Sequence, residues 1–146
     1  MANLTITDAS VGVASLAPVA NGDLNLELIT MGATVTKGVP VYRDLTASSK
    51  LIAADASTTV TALVVGITLF GGVDTGIGLM ATEGQIILGA TLVAGTTYYL
   101  SETAGNICLF SDLGAGAKVV KLGIARSTTI LDVQIEDLGG AVVAVA

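Results

Sequence analysis

The stretch Gly32-Ala33-Thr34-Val35-Thr36-Lys37-Gly38-Val39-Pro40-Val41-Tyr42 returns 57 residues later as Gly89-Ala90-Thr91-Leu92-Val93-Ala94-Gly95-Thr96-Thr97-Tyr98-Tyr99. Without a gap, Thr46-Ala47 then falls on Thr103-Ala104, Asp55 on Asp112, and Gly66-Ile67 on Gly123-Ile124. Ten of 37 aligned positions are identical. The pattern predicts an internal duplication, with repeat one about 32–88 and repeat two about 89–137.

Within each unit, apolar residues alternate or run in short β-branched blocks separated by turn residues, which is the strand signal. Gly38 and Gly95 precede strands at equivalent positions, where a tight turn requires positive φ. Strands are predicted at Tyr98–Glu102, Ile107–Phe110, Ala62–Leu69, Ile77–Ala81, Gln85–Leu88, Val119–Ala125 and Ile130–Glu136. Ala104-Gly105-Asn106 reads as a hairpin turn, and Asp44–Ser49 as its counterpart in the first unit. Pro40 suits a strand start or an edge, because it has no N–H to give a ladder. Ala53–Thr61 has room for one short turn of helix. Regular spacing with Gly punctuation points to an all-β fold, a small β-barrel or β-sandwich with extended terminal arms. A unit of this size would be marginal alone, which favours one shared domain.

The ends depart from the repeat. Residues 1–30 are expected to form an N-terminal arm and a first strand, the amphipathic run Asp23-Leu24-Asn25-Leu26-Glu27-Leu28-Ile29. The β domain follows at 31–137. Leu138-Gly139-Gly140 reads as a flexible joint opening an apolar C-terminal tail, 138–146. An apolar tail suits contact with a neighbouring subunit.

Composition narrows the function. The 146 residues are 52% hydrophobic and 12% charged, with 18 Gly, a net charge of -6 and no His or Trp. That hydrophobicity excludes intrinsic disorder. The six scattered cations, Lys37, Arg43, Lys50, Lys118, Lys121 and Arg126, argue against nucleic acid. Met1–Thr7 has no basic segment ahead of an apolar run, so no signal peptide is expected. The most apolar stretch, Val60–Val73, is too short and too rich in Gly to cross a bilayer as a helix, and no membrane partner is expected. Cys108, alone, cannot form an internal disulfide, and its Ile-Cys-Leu-Phe setting suits burial.

Chemistry is hard to place. Without His, the Ser-His-Asp triad and the usual zinc ligand set are absent. Gly71–Gly78 is Gly-rich but has no helix pattern after it, so it reads as a hairpin or barrel corner and not as a phosphate cradle. Glu136 and Asp137 are adjacent and would face opposite sides of a strand. Asp132 and Glu136, with Gln134 between them, would share a face, which suits a solvent-facing stripe better than a Ca²⁺ site. Asp74-Thr75-Gly76 matches the aspartic protease tripeptide but lacks recognisable flanking strand and flap patterns. No catalytic, cofactor or metal residue is assigned, and no enzyme, cofactor or small-molecule substrate is expected.

The phrases Gly-Ala-Thr-Val-x-x-Gly-x-Pro-Val-Tyr, Val-Val-Gly-Ile, Gly-Thr-Thr-Tyr-Tyr-Leu-Ser and Leu-Gly-Ile-Ala, across residues 30–136, resemble those of capsid decoration (cement) proteins of tailed bacteriophages. The resemblance implies a β-rich structural virion protein, often a homotrimer, bound to the outer surface of the head where major capsid protein subunits meet. It implies assembly in the host cytoplasm and residence on the capsid exterior. Terminal arms would make the shell contacts, and no catalytic residue carries over. The alternative is a phage tail or fibre module, or a receptor- or carbohydrate-binding domain. In that case sugar rings would stack on Tyr42, Tyr98, Tyr99, Phe70 or Phe110.

Overall fold

The computed structural model describes residues 3, 4, 6, 12–13, 25–47 and 50–141. It is nearly all β: ten strands and two single 3-10 turns, with no α-helix among the described residues. The strands are β1 (Gly12–Val13), β2 (Asn25–Thr30), β3 (Pro40–Asp44), β4 (Lys50–Ala53) and β5 (Val64–Phe70). They continue with β6 (Ile77–Ile87), β7 (Thr97–Leu100), β8 (Ile107–Cys108), β9 (Lys118–Ala125) and β10 (Ile130–Ala141). The sheet is curled and antiparallel, in the order β4-β3-β5-β6-β10-β9-β7-β8, with β1 and β2 both pairing with β6.

That order is a palindrome: β4-β3-β5-β6 meets β8-β7-β9-β10 back to back. The 57-residue offset reappears in the register. Pro40↔Ile67, Val41↔Gly66 and Tyr42↔Val64 recur as Thr97↔Ile124, Tyr98↔Gly123 and Tyr99↔Lys121, with the irregularity at the same place. The loop bonds recur too. Gly38 N–H donates to Thr68 O at 2.7 Å, and Gly95 N–H to Ala125 O at 2.7 Å. Both glycines adopt positive φ, 73° and 84°, the conformation the turn demands of them.

Gly66 and Gly123 are alike for a different reason, the closeness of the next strand. A Cβ on Gly66 would lie 2.6 Å from Met80 Sδ and 2.9 Å from Ala81 O, and one on Gly123 would lie 2.3 Å from Asp132 O. Identity at these positions therefore follows from packing geometry.

β6 joins the halves. Its first part pairs with β5 and β2, its last part with β10 and β1, and Glu83 is matched to both Asn25 and Gln134. Strands expected at Ile77–Ala81 and Gln85–Leu88 are thus one strand of 11 residues. In the gap left between them, residues 82–84, Gly84 has φ 107°, and pairing continues through it. Leu138–Gly140, expected as a joint, lies within β10 but forms an irregularity in it, between the pairs Asp137↔Val120 and Ala141↔Lys118 with β9. Over Ala53–Thr61 no helix forms beyond an isolated turn at its end, where Ala62 N–H donates to Thr58 O at 3.2 Å. The 3-10 turns are at Leu45–Ala47 and Phe110–Asp112. Most of the expected N-terminal arm and the end of the tail lie outside the described residues.

The buried apolar side chains form two clusters. The smaller, Ile29, Met31, Val35, Val41, Leu51 and Met80, sits where the chain after β2 returns to β4. There Met31 bridges Leu51, and Gly32 N–H donates to Leu51 O at 2.8 Å. The larger draws on both halves, with Tyr42, Ile67 and Ala81 packed in one cluster with Leu100, Leu122 and Val133. Each large side chain buried in this way contributes about 1.5–3 kcal/mol. The second half is edged in a similar manner. Asn3 bridges Cys108, and Leu4 N–H donates to Ile107 O at 2.9 Å.

Candidate functional site

The alternation in β2 suggests an apolar side and a polar side, and the polar side would ordinarily face water. The structure arranges it otherwise. Ile29 points into the smaller cluster, while Leu26 and Leu28 are 45% and 74% exposed. Register places Leu28 opposite Leu79 of β6, and Leu79 opposite Phe70 of β5. Directly paired residues share a face of a sheet, so these three form an apolar row across three strands. Ile77, two residues along β6, is 73% exposed, Phe70 57%, and Val73 in the adjoining turn 64%. The same face carries Ile67 and Ala81, which are fully buried in the larger cluster. The row is thus the core's own face running out beyond its cover.

Charged groups adjoin it at the β5 end. Lys37 Nζ lies 5.4 Å from the centre of the Phe70 ring, a cation–π contact. Lys50 Nζ is 3.9 Å from Asp74 Oδ1; the pair of Arg43 Nη2 with Glu27 Oε1, at 3.5 Å, lies on the opposite face, since Glu27 is matched to Met80 and Arg43 to Leu51.

The residues singled out for chemistry are dispersed. Asp74-Thr75-Gly76 is an exposed turn between β5 and β6, with Asp74 held by Lys50. Thr75 has φ 66°, a conformation rare for a β-branched residue, fixed by its N–H donating to Met31 O at 2.8 Å. Asp132 is nearly buried and accepts from Arg126 Nη2 at 2.8 Å, Arg126 Nε at 3.1 Å and Gln134 Nε2 at 3.0 Å. Glu136 lies past an irregularity in β10 and pairs instead with Lys121 at 3.9 Å. The two carboxylates therefore serve separate partners. Among the described residues no group of three or more His, Cys, Asp or Glu converges on a point.

Asp55 orders the β4–β5 loop. Its Oδ1 accepts from Ser57 N–H at 3.0 Å, from Ser57 Oγ, and from Thr61 Oγ1 at 2.8 Å. Partial burial raises its pKa, but these bonds outweigh that and hold the carboxyl below its ordinary value. Cys108 is buried. Burial first, then the charge of Asp112, pushes its thiol up to about 11, against a hydrogen bond with Ser101.

The rings offered for sugar stacking divide by burial. Tyr42 and Tyr98 are in the core, and the Tyr98 hydroxyl accepts from Val93 N–H at 3.0 Å. Tyr99 is half-buried, edge-on to Phe110 with ring centres 5.5 Å apart. Phe70 and Phe110 are the rings left exposed. A cleft of about 400 Å³ lies between residues 34–39, Ala53, the 104–106 turn, Leu4 and Ile6. Among the described residues its lining holds no carboxylate, and Lys37 is the one charged residue.

Among the described residues no helix is long and apolar enough to cross a membrane. Models of known protein families gave no match to the chain, and neither did the sequences of curated proteins.

Proposed function

We propose that this protein is a structural virion component that binds the outer surface of a phage capsid as a homotrimer. It stabilises the assembled head by bridging major capsid protein subunits. The observation that carries the reading is a surface built for contact. Large apolar side chains such as Leu28, Leu45, Val60, Phe70, Ile77 and Phe110 are left half or more exposed on a sparsely charged, all-β scaffold. Charged residues are depleted where surfaces are buried between subunits. The phrases that resemble decoration proteins supply β3, β5, β7 and β9, the strands that repeat in register.

The mechanism is passive. A ligand that binds only the assembled shell stabilises that state by mass action. Many copies on a lattice turn modest single contacts into firm attachment. Purified protein added to heads lacking it is expected to bind and to raise the temperature at which the genome is released. Heads that release their genome at the same temperature with and without bound protein would overturn the reading.

A further inference from the structure

The two ends of the sheet are closed by different means. β4 and β8 are its outermost strands, and an open strand edge invites pairing with another chain. In the first half, the chain leaving β2 closes β4: fully buried Met31 bridges Leu51, and Gly32 N–H donates to Leu51 O. At the 57-residue offset, Leu51 becomes Cys108 and Met31-Gly32 becomes Leu88-Gly89. Leu88 does not close β8. It is drawn into the larger cluster, and its N–H donates to Thr129 O at 3.1 Å. The second unit is therefore not closed by its own repeat, and the far end of the chain takes the place. Asn3 bridges Cys108 in the antiparallel sense, where Met31 bridges Leu51 in the parallel sense. Fully buried Ser101 donates through Oγ to Asn3 Oδ1 at 2.7 Å and accepts from Thr103 N–H at 3.1 Å. Leu4 N–H donates to Ile107 O at 2.9 Å, and Leu4 and Ile6, partly buried, pack against the larger cluster.

We propose that the outer edge of β8 is an acceptor site for an extended peptide segment, filled in this chain by its own residues 3–6 and open to the same segment of a second copy. The site has the parts that strand addition needs, main-chain bonds for affinity and alternate side chains for specificity. Ile107 O takes the main-chain bond, and Ser101 reads the polar side chain of Asn3. The cleft beside the 104–106 turn receives Leu4 and Ile6, which lie two apart and so on one side of an extended segment. The occupant follows from the fit. The segment that this edge holds belongs to the chain itself, so every copy carries one. Exchanged between copies, it makes the same contacts as when folded back. Met31, by contrast, continues β2, which is paired with β6 along its length, so the β4 edge cannot change occupant in this way. The inference stands apart from the capsid reading, and its test uses no capsid.

In the full chain, Leu4→Pro removes the N–H that reaches Ile107 O. Cys108, 1% exposed with the site filled, reports on the edge through its rate of reaction with a thiol reagent at pH 8. Leu4→Pro is expected to react about tenfold faster than the wild type or more, while circular dichroism shows its strands retained. A synthetic peptide of residues 1–8, standing for the segment of a second copy, should restore the slow rate. The same peptide carrying Leu4→Pro should not. Asn3→Cys tests exchange between whole chains, since facing residues of an antiparallel bridge are close enough for a disulfide. Oxidised at rising protein concentration, it is expected to join one chain to another through Cys108, in a share that grows with concentration. The proposal is overturned by a Leu4→Pro chain that loses its strands, or by one whose thiol stays as protected as in the wild type. A peptide that fails to restore protection, or Asn3→Cys links formed within single chains at every concentration, would equally overturn it.

Discussion

Gly123→Ala is expected to destabilise the protein, although adding one methyl to an extended glycine ordinarily helps. Where the backbone accepts the change, the gain is about 0.4–1 kcal/mol from the unfolded chain's lost freedom. Here the new carbon would lie 2.3 Å from Asp132 O, 3.0 Å from Asp132 C and 3.2 Å from Leu131 Cγ. Two of these atoms belong to the β10 backbone, which cannot rotate away, so β9 and β10 must separate. Overpacking of this kind costs about 1–3 kcal/mol. Weakening the ladder beside Val133↔Gly123 and Asp132↔Ile124 adds about 0.5–1.5 kcal/mol for each bond lost. The net expectation is a loss of about 2–4 kcal/mol. For a chain of this length that lowers the melting temperature by roughly 5–15 °C. Gly66→Ala, at the equivalent position, should lose less, because the nearest atom there is the mobile Met80 Sδ at 2.6 Å. Calorimetry of the two variants beside the wild type tests this. A Gly123→Ala protein that melts at or above the wild type, or a Gly66→Ala protein that melts lower than Gly123→Ala, would refute the steric account.

Thr75→Gly should stabilise by about 1 kcal/mol, since relief of a strained φ outweighs the entropy of glycine; a raised urea midpoint at unchanged slope is the readout. Asp55 has a depressed folded pKa, so its contribution is complete above the unfolded value of about 3.9 and is lost as pH falls through the folded value. Asp55→Asn should therefore be less stable than the wild type at neutral pH, and the gap should close as denaturation is repeated at increasingly acidic pH. The Cys108 thiol, raised to about 11 from 9.0, should react with a thiol reagent at pH 8 at least about a hundredfold more slowly in the folded protein than in urea. Arg126→Ala leaves the nearly buried Asp132 with Gln134 as its remaining side-chain donor and should cost about 1–3 kcal/mol. Lys121→Ala, which breaks a 3.9 Å pair with exposed Glu136, should cost less in the same denaturant series.

Much of the architecture was legible in the chain because it is written twice. Gly38 and Gly95 mark one turn and Gly66 and Gly123 one close approach, and a repeated backbone constraint leaves repeated residues. Strand type followed from β-branched blocks between glycines, since a period of two and turn chemistry are local properties. Strand continuity was not local. Gly84 reads as a break in sequence, and only the transfer of pairing from β5 and β2 to β10 and β1 keeps β6 a single strand. Glycine at Leu138–Gly140 reads as a joint for the same reason; β10 is irregular there, and pairs with β9 on either side keep it in the strand.

The candidate site depended on that tertiary pairing more than the fold class did. The alternation of Leu24, Leu26 and Leu28 with polar residues specifies an amphipathic strand, but not which side meets the core. β2 turns Ile29 inward because the returning chain at Met31 and the β4 residue Leu51 surround it, and this sends Leu26 and Leu28 outward. Leu28 and Phe70 are 42 positions apart in the sequence and have no pattern in common. They join one row only because each pairs with Leu79. By itself the sequence determined an all-β chain built from a repeated strand grammar, through local propensity and recurring glycine constraints. The palindromic order of the strands, the shared core and the exposed apolar row were decided by tertiary structure, because register between distant strands is a property of the closed sheet and of no single segment.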